Sequence, residues 1–295
     1  MGDLGEEMTD SLVLLAVHAH PDDESLGTGG TLAKYASEGV ETVLVCATKG
    51  EEGDIQNPDL DPSDIPAEIT ELRMKELDAA CKVLGIHKVH FLGYRDSGMA
   101  GSSSNANPQA LMNADLGEAT GRLVAIIREV RPQVVITYNE RGIYGHPDHI
   151  AVNRITVAAM DAAGDPGRYP TIPYPPWSPN RLYYMAIPRS RLLKMKEILE
   201  GRGESFDWDI DFRSTPDEEI TNRIDVTAHL QTKLRAIRCH ASQIGPGSFF
   251  SRVDESFRRE ALGVECYVCV RGCDGVPDGS SDLFTGIRHK PTGPS

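Results

Sequence analysis

The sequence lacks any apolar run that approaches the roughly 20 residues needed to cross a membrane. It also lacks an excess of positive charge, because 44 Asp and Glu against 30 Lys and Arg give a formal net charge of −14. Proteins that bind nucleic acid usually present clustered Lys and Arg to the phosphates. We therefore expect neither a membrane segment nor a nucleic-acid partner.

Cysteine is also scarce, with 6 residues in a chain of 295, whereas disulfide frameworks belong to short secreted domains. We expect reduced thiols and, because the N-terminus is acidic where a signal peptide would be basic, a cytoplasmic location. The spacing of Cys266, Cys269 and Cys273 suggests a metal site. However, this segment has strand composition, and residues three apart on a strand point to opposite faces, which favours buried structural thiols.

What the sequence does contain is a regular alternation of short apolar runs and longer helical patterns. The apolar runs begin at Leu12, Glu41, Lys88 and Gln133, and a helical pattern follows each of them. Such alternation indicates βαβ units and a parallel sheet covered on both faces. The pattern predicts an α/β protein with a Rossmann-like, doubly wound, mostly parallel sheet, whose functional loops lie at the carboxyl ends of the strands.

The alternation ends near Asp165, where a Pro-rich segment begins. We predict a Rossmann-like metal-binding core over residues 1–165 and a C-terminal α+β extension of the same catalytic domain over residues 166–273. Whether this extension continues the sheet or forms a cap stays open. Residues 274–295 are rich in Gly, Pro and Ser, and we expect a flexible tail there.

One tetrapeptide pattern occurs twice, each time after a predicted strand. His-Pro-Asp-Asp at residues 20–23 follows the first strand, and His-Pro-Asp-His at residues 146–149 follows the fourth. In each, proline restricts the preceding histidine to an extended conformation and so fixes the direction of its ring. Because the carboxyl ends of parallel strands lie on one side of the sheet, we expect the two loops to converge.

The two loops together supply a complete ligand set for a catalytic metal ion. His20, Asp23 and His149 provide two imidazoles and one carboxylate, which is typical of catalytic zinc with one open position. The same set can hold Fe2+, but the neighbouring hydrolytic residues favour Zn2+. A water bound to zinc ionises near neutral pH, and Asp22, beside Asp23, is placed to act as its general base.

Further residues near the second loop are candidates for catalysis. We predict that His146 stays protonated and stabilises an oxyanion, and that Asp148 orients a histidine. Tyr144 is expected to donate a hydrogen bond to the same oxygen. Either loop alone could be a simple turn or a helix cap, so the recurrence of the pattern is what indicates a metal site.

These residues resemble the zinc-dependent de-N-acetylases of the PIG-L/LmbE-like family, which remove acyl groups from N-acylglucosamine conjugates. The resemblance extends from about Leu12 to Val270, and segments 48–53, 71–73, 93–99 and 142–145 look most like the mycothiol branch. That branch contains a deacetylase of a glucosaminyl inositol and an amidase of mycothiol conjugates. The resemblance implies a small-molecule amide or glycoconjugate substrate bound by Arg73 and Asp96, and a homo-oligomer is possible.

Several alternatives stay open at this point. Gly27-Thr28-Gly29-Gly30 is similar to part of a dinucleotide-binding loop, but Leu32 replaces its third glycine and nearby acidic residues would repel phosphate. A structural zinc site usually has four protein ligands, whereas this chain offers three. Cleavage of mycothiol S-conjugates, or of another acylated small molecule, is an alternative reaction, although the conjugate amidase has a lysine where this chain reads Ser25 onward. His240 matches a family segment near the site or is a core histidine.

Overall fold

One mixed sheet organises the residues that the computed structural model describes, which are 11–60, 68–245 and 255–288. Within them its seven strands are β1 Val13–His18, β2 Glu41–Cys46, β3 Lys88–Phe91, β4 Val134–Thr137, β5 Arg181–Ala186, β6 Asn222–Asp225 and β7 Val264–Arg271. Their order is β3-β2-β1-β4-β5-β7-β6. Strands β1 to β5 pair in parallel, and β7 runs antiparallel to β5 and β6. The predicted α/β class is confirmed, and the C-terminal extension continues the sheet.

Helices cover both faces of this sheet, which explains why every side chain of β1 is buried. The described α-helices are α1 Asp23–Gly27, α2 Gly29–Ser37, α3 Ile69–Leu84, α4 Leu116–Val130, α5 Gly142–Gly145, α6 Pro147–Ala162, α7 Arg189–Gly201, α8 Ile210–Arg213, α9 Leu230–Cys239 and α10 Glu255–Leu262. Helices α2, α3 and α9 pack together as one layer, and α4 and α6 pack together as another. Not one of these helices has the length and apolar character that a membrane span requires.

The order of the strands places the two His-Pro-Asp loops side by side. From β1 the chain builds β2 and then β3 on one side of it, and α4 returns across the sheet to β4 on the other side. The connections that leave the carboxyl ends of β1 and β4 therefore diverge, and a crevice opens between them, as in other doubly wound sheets. Both loops begin at this crevice.

The first part of the predicted tail is docked on the domain. Leu283 and Phe284 are fully buried. The backbone N–H of Leu283 donates to the Tyr35 hydroxyl at 2.7 Å, and Arg181 donates to the Leu283 carbonyl at 3.0 Å. The expectation of a flexible tail is thus wrong for residues 274–288, because two large apolar side chains find places in the core; residues 289–295 lie outside the described residues.

The cysteine prediction is correct in part. Cys266 is a buried free thiol, as predicted, but Cys269 and Cys273 form a disulfide at the end of β7, where reduced thiols were expected. Cys273 lies four positions after Cys269, and the turn that follows the strand brings the second cysteine back to the first.

Candidate active site and metal centre

Three side chains from the two loops converge at the carboxyl ends of β1 and β4. Nδ1 of His20 lies 3.4 Å from Nε2 of His149. The carboxylate of Asp23 places one oxygen 3.3 Å from the His20 nitrogen and the other 3.5 Å from the His149 nitrogen. Ligand atoms about 2.0–2.1 Å from a tetrahedral zinc ion are themselves roughly 3.4 Å apart. This His-His-Asp set therefore fits a metal cofactor.

Both histidines are oriented by hydrogen bonds on the side that faces away from this set. Nε2 of His20 lies 3.1 Å from Oδ2 of Asp148, and Nδ1 of His149 lies 3.2 Å from the Gly142 carbonyl. When those nitrogens carry the protons, the lone pairs of His20 Nδ1 and His149 Nε2 face each other. Partners of this kind usually fix the tautomer of a metal-binding histidine.

Two orienting residues were not indicated by the sequence. The Tyr138 hydroxyl donates to Oδ2 of Asp23 at 2.7 Å, and Tyr138 directly follows β4. The Ser97 backbone N–H donates to Oδ2 of the fully buried Asp148 at 2.9 Å, and its hydroxyl donates to the other oxygen. Serine and tyrosine occur in many loops, so only the position of each after a strand could have drawn attention to them.

Asp22, the predicted general base, has an unusual backbone conformation. Its φ is 126°, a region that residues other than glycine seldom occupy. Its backbone N–H donates to Glu24 at 2.9 Å, and Arg73 Nη2 donates to the Pro21 carbonyl at 2.6 Å and to Oδ2 of Asp22 at 3.3 Å. Burial raises the pKa of Asp22 to about 7, although the positive charge of Arg73 opposes this rise. A pKa near the working pH suits a general base.

The two predicted substrate residues line the cavity above the metal site, and each also contacts a loop residue. Arg73 is only 3% exposed and, besides its bonds to the first loop, donates to the Gly50 carbonyl at 3.0 Å. Oδ1 of Asp96 lies 3.6 Å from Nε2 of His20. Burial works against ionisation of Asp96, but its attraction to the nearby His20 outweighs this and holds its pKa below the usual range. Both residues can therefore position the catalytic loops as well as meet a substrate.

His146 differs from its prediction in protonation. Its Nδ1 accepts the backbone N–H of Asp148 at 3.2 Å and so caps the start of α6. Burial, together with the nearby His20 and His149, lowers the pKa of His146 to about 4. The expectation that His146 stays protonated is thus wrong, but a neutral ring with its proton on Nε2 still offers one donor to an oxyanion.

Tyr144 stands beside the metal site on a strained turn. The preceding residue, Ile143, has a φ of 63°, and the turn is bounded by Gly142 and Gly145 with φ of 64° and 87°. The Tyr144 ring centroid lies 5.0 Å from that of His149. Burial raises the pKa of the Tyr144 hydroxyl, which therefore remains a hydrogen-bond donor at neutral pH.

Behind the first loop lies a buried pair that sequence reasoning resolved only in part. Glu24 and His240 are both fully buried, with Oε1 2.7 Å from Nε2. Burial works against both charges, yet their mutual attraction lowers the pKa of Glu24 and raises that of His240. Since Glu24 also holds the N–H of Asp22, His240 belongs to the support of the site as well as to the core.

The start of α2 excludes the dinucleotide alternative. The carboxylate of Glu265 accepts the backbone N–H groups of Gly30 and Thr31, each at 2.8 Å. A phosphate would need those same N–H groups, so the protein's own anion already occupies the position. A side chain at Gly30 would lie 2.5 Å from Val226, so this glycine permits close packing of α2.

Two imidazoles and a carboxylate that converge beside a further aspartate are an arrangement typical of metal-dependent hydrolases. The chain belongs to the PIG-L family, since residues 15–160 match the family model described as GlcNAc-PI de-N-acetylase. Full-length relatives support this assignment.

Two such relatives are named 1D-myo-inositol 2-acetamido-2-deoxy-alpha-D-glucopyranoside deacetylase. The protein from Geodermatophilus obscurus is 42% identical over an alignment of 294 residues, which covers 95% of this chain and 99% of that protein. The protein from Acidothermus cellulolyticus is 43% identical over 289 residues, covering 93% of this chain and 94% of that protein. The solved N,N'-diacetylchitobiose deacetylase from Pyrococcus horikoshii has a TM-score of 0.62 at 22% identity, with 92% of this chain and 88% of that chain covered, and shows the same fold.

Proposed function

We propose that the protein is a zinc-dependent de-N-acetylase that releases acetate from an N-acetylglucosaminyl inositol in the mycothiol pathway. The observation that carries this proposal is the mutual spacing of the donor atoms of His20, Asp23 and His149, each within 3.5 Å of the others. The names of the relatives supply the sugar and the inositol.

The proposed metal site follows from the chemistry of its donors. Two imidazole nitrogens and one carboxylate suit zinc in a hydrolytic site, although Fe2+ accepts the same donors. A divalent ion held by His20, Asp23 and His149 would lower the pKa of a bound water and polarise the amide carbonyl.

Asp22 moves the proton in the proposed reaction. With a pKa of about 7, it is substantially ionised at neutral pH and accepts a proton from the attacking water. Protonated Asp22 then gives that proton to the amide nitrogen as the carbon–nitrogen bond breaks, so that acetate and a free amine leave. Arg73 holds Asp22 in place through its contact at 3.3 Å.

His146 and Tyr144 stabilise the negative charge on the former carbonyl oxygen. Because Nδ1 of His146 accepts the Asp148 N–H, its donor is the proton on Nε2. The Tyr144 hydroxyl, kept protonated by burial, is a second donor from the same loop. Donors that are fixed before the reaction need no reorganisation when the charge develops, which is the basis of oxyanion stabilisation.

The proposed substrate lies in a cavity of about 700 Å³ above the metal site. On the side of β2 and β3 its lining is polar and includes Glu52, Asp54, Arg73, Asp96 and Gln243. Hydroxyl groups of a sugar and an inositol match such a surface, because carboxylates accept their protons and the guanidinium donates to their oxygens.

The test is a substrate panel on protein that is stripped of metal and reconstituted with Zn2+ or Fe2+. We expect Zn2+ to bind at one equivalent and N-acetylglucosaminyl inositol to give the highest kcat/KM, ahead of a mycothiol S-conjugate and diacetylchitobiose. The Asp22→Asn variant is the control, since it should bind the metal without releasing amine. A higher kcat/KM for the S-conjugate would replace the proposed reaction by the amidase alternative, and greater activity with Fe2+ would replace the metal.

A further inference from the structure

We propose that the cavity contains a subsite for the acyl side of the substrate that accepts short- to medium-chain fatty acyl groups as well as acetyl. This inference rests on the proposed function and concerns the part of the cavity that N-acetylglucosaminyl inositol leaves unexplained. Its evidence is an apolar wall on the side of the metal site opposite the polar residues.

The two sides of the cavity differ in chemistry because different strands support them. Loops after β2 and β3, helix α3 and the segment after α9 supply the polar side, whereas the end of β5, helix α7 and the end of α10 supply the other. The apolar lining residues of that second side are Met185, Ile187, Leu192, Met195, Ala261 and Leu262. A concave apolar surface of this kind usually meets an apolar part of a ligand.

The catalytic groups decide which substituent of the amide carbon points to each side. Asp22 must reach the leaving nitrogen. It contacts Arg73, which also donates to the Gly50 carbonyl, so Asp22 lies toward the loop after β2. His146 and Tyr144, on the loop after β4, receive the oxygen. The amine therefore extends toward the polar side, and the acyl group extends toward β5 and its apolar wall.

The wall is close to the first loop and is well ordered by packing. A Cβ on Gly27 would lie 2.8 Å from Sδ of Met185, so α1 and the wall are in direct contact. Leu192 and Met195 are 3% and 4% exposed and form a small core with Leu199 along α7. Methionine side chains adapt to ligands of different length, which suits a variable acyl chain.

The charged groups next to this wall have partners. Lys233 pairs with Glu265 at 2.6 Å, and both are almost completely buried. Arg191 donates to the Val264 carbonyl at 2.8 Å. The ion pair offsets the charges of Lys233 and Glu265, and the Val264 carbonyl accepts a hydrogen bond from Arg191, which keeps its positive charge. The proposed acyl chain would contact the apolar side chains of the wall.

The proposed reaction keeps the chemistry of deacetylation. Water adds its oxygen to the amide carbon, the carbon–nitrogen bond breaks, and Asp22 carries the proton from water to nitrogen. The products are a fatty carboxylate in place of acetate and the same glucosaminyl amine. Only the length of the acyl chain changes.

The test is a chain-length series on the zinc-loaded wild-type protein, with N-acetyl, N-butanoyl and N-hexanoyl glucosaminyl inositol as substrates and amine release as the readout. If added methylenes are buried against the wall, kcat/KM should rise by up to about fourfold per methylene. Values for the butanoyl and hexanoyl substrates that do not exceed the acetyl value would overturn the inference. This result needs no variant and so does not depend on whether a variant folds.

A matched pair of variants locates the subsite. Leu192→Ala and Leu199→Ala remove the same atoms from two buried leucines of the same small core, but of the two only Leu192 is among the cavity-lining residues. We expect Leu192→Ala to lower the ratio of hexanoyl to acetyl kcat/KM by about tenfold and Leu199→Ala to leave that ratio within about twofold. Equal changes in the two ratios would show that the wall does not bind the chain.

The same series separates this inference from the proposed function. Acetyl hydrolysis without any gain for longer chains overturns the inference and leaves the proposed function intact. Hydrolysis of the hexanoyl substrate with negligible hydrolysis of the acetyl substrate supports the subsite and overturns the proposed reaction. Absence of amine from every substrate, in protein with one zinc bound, overturns both.

Discussion

The two His-Pro-Asp loops are nearly identical in sequence, but their backbones differ. In the first loop Asp22 has a φ of 126°. In the second loop Pro147 is the first residue of α6, so Asp148 lies in regular helix. The third residue of the tetrapeptide therefore faces the cavity in the first loop, as Asp22, and is fully buried beneath His20 in the second, as Asp148.

The first positions differ in the same way. His20 places Nδ1 toward Asp23 and His149, whereas His146 uses Nδ1 to accept a backbone N–H of its own helix. The fourth positions, Asp23 and His149, both face the proposed metal. A shared tetrapeptide thus brings the side chains together, and backbone conformation decides whether each faces the proposed metal, faces the cavity or lies buried beneath it.

The strain in the first loop has an identifiable support. A residue in a sparsely populated region of φ and ψ costs roughly 1–3 kcal/mol. Glu24 accepts the N–H of Asp22, and Arg73 holds both the Asp22 carboxylate and the preceding carbonyl. The second loop needs no such support, since proline is favourable at the first position of a helix.

The largest effects are expected where the loops differ in metal binding. His149→Ala should lose metal and all measurable activity, because it removes one of three ligands. His146→Ala should retain one metal per chain and lower kcat by about 10²–10³-fold, as for loss of one oxyanion donor. Metal analysis and amine release on both variants check this. Loss of metal from His146→Ala would instead place it among the ligands, as its proximity to His20 and His149 allows.

The next largest difference is expected between Asp22 and Asp148, which are the third residues of the two tetrapeptides. Asp22→Asn should lower kcat by about 10²–10⁴-fold at unchanged metal content. Asp148→Asn should weaken metal affinity by about 10–100-fold, and saturating Zn2+ should restore much of its rate. Metal titration followed by kinetics separates the two. If Asp148→Asn stayed inactive when fully loaded with zinc, Asp148 would share the catalytic role proposed for Asp22, although Asp148 is fully buried.

A smaller effect should appear in the pH profile of Arg73 variants. Asp22 acts as a base only when ionised, so activity should rise with pH through its pKa of about 7. The Arg73 charge lowers the pKa of Asp22, and Arg73→Met should therefore move the ascending limb of kcat to higher pH. Arg73→Lys keeps the charge and is the control. If Arg73→Met raised KM but left the ascending limb of the kcat–pH profile in place, Arg73 would bind substrate and would not position the base.

Much of the site followed from the sequence because each local signal had a direct physical cause. The carboxyl ends of parallel strands share one side of the sheet, so two loops after β1 and β4 had to meet if the alternation was correct. Helix α4, Leu116–Val130, is the helical pattern expected after the third apolar run. Its N-cap, Asp115, accepts the Glu118 N–H at 2.8 Å.

The features that the sequence did not reveal depend on contacts between distant segments. The neutral state of the His146 ring follows from the Asp148 N–H that its Nδ1 accepts and from burial near the imidazoles of His20 and His149. Strand β6 has only four residues and becomes a strand through its pairing with β7. The docking of Leu283 and Phe284 likewise depends on a space beside Tyr35 that forms only when the sheet is complete.

The smallest predicted effect concerns the arginine that contacts the second loop as Arg73 contacts the first. The Arg213 guanidinium lies 5.4 Å from the centroid of the Tyr144 ring and 5.1 Å from that of Trp208. A cation over an aromatic face contributes roughly 0.5–2 kcal/mol, so Arg213→Met should release Tyr144 and lower kcat/KM by about fivefold, with Arg213→Lys recovering part of it.

A matched control for that substitution lies at the far end of the sheet. Arg131 covers the Trp177 ring at 4.5 Å beyond the C-terminus of α4, on the side away from both loops. Arg131→Met should therefore remove the same kind of contact without changing kcat/KM. Steady-state kinetics on the two variants tests whether Arg213 acts through Tyr144, because a general loss of stability would affect both variants. Equal kinetics in the two would mean that Tyr144 is held by its strained turn alone, and that the second loop, unlike the first, depends on no arginine.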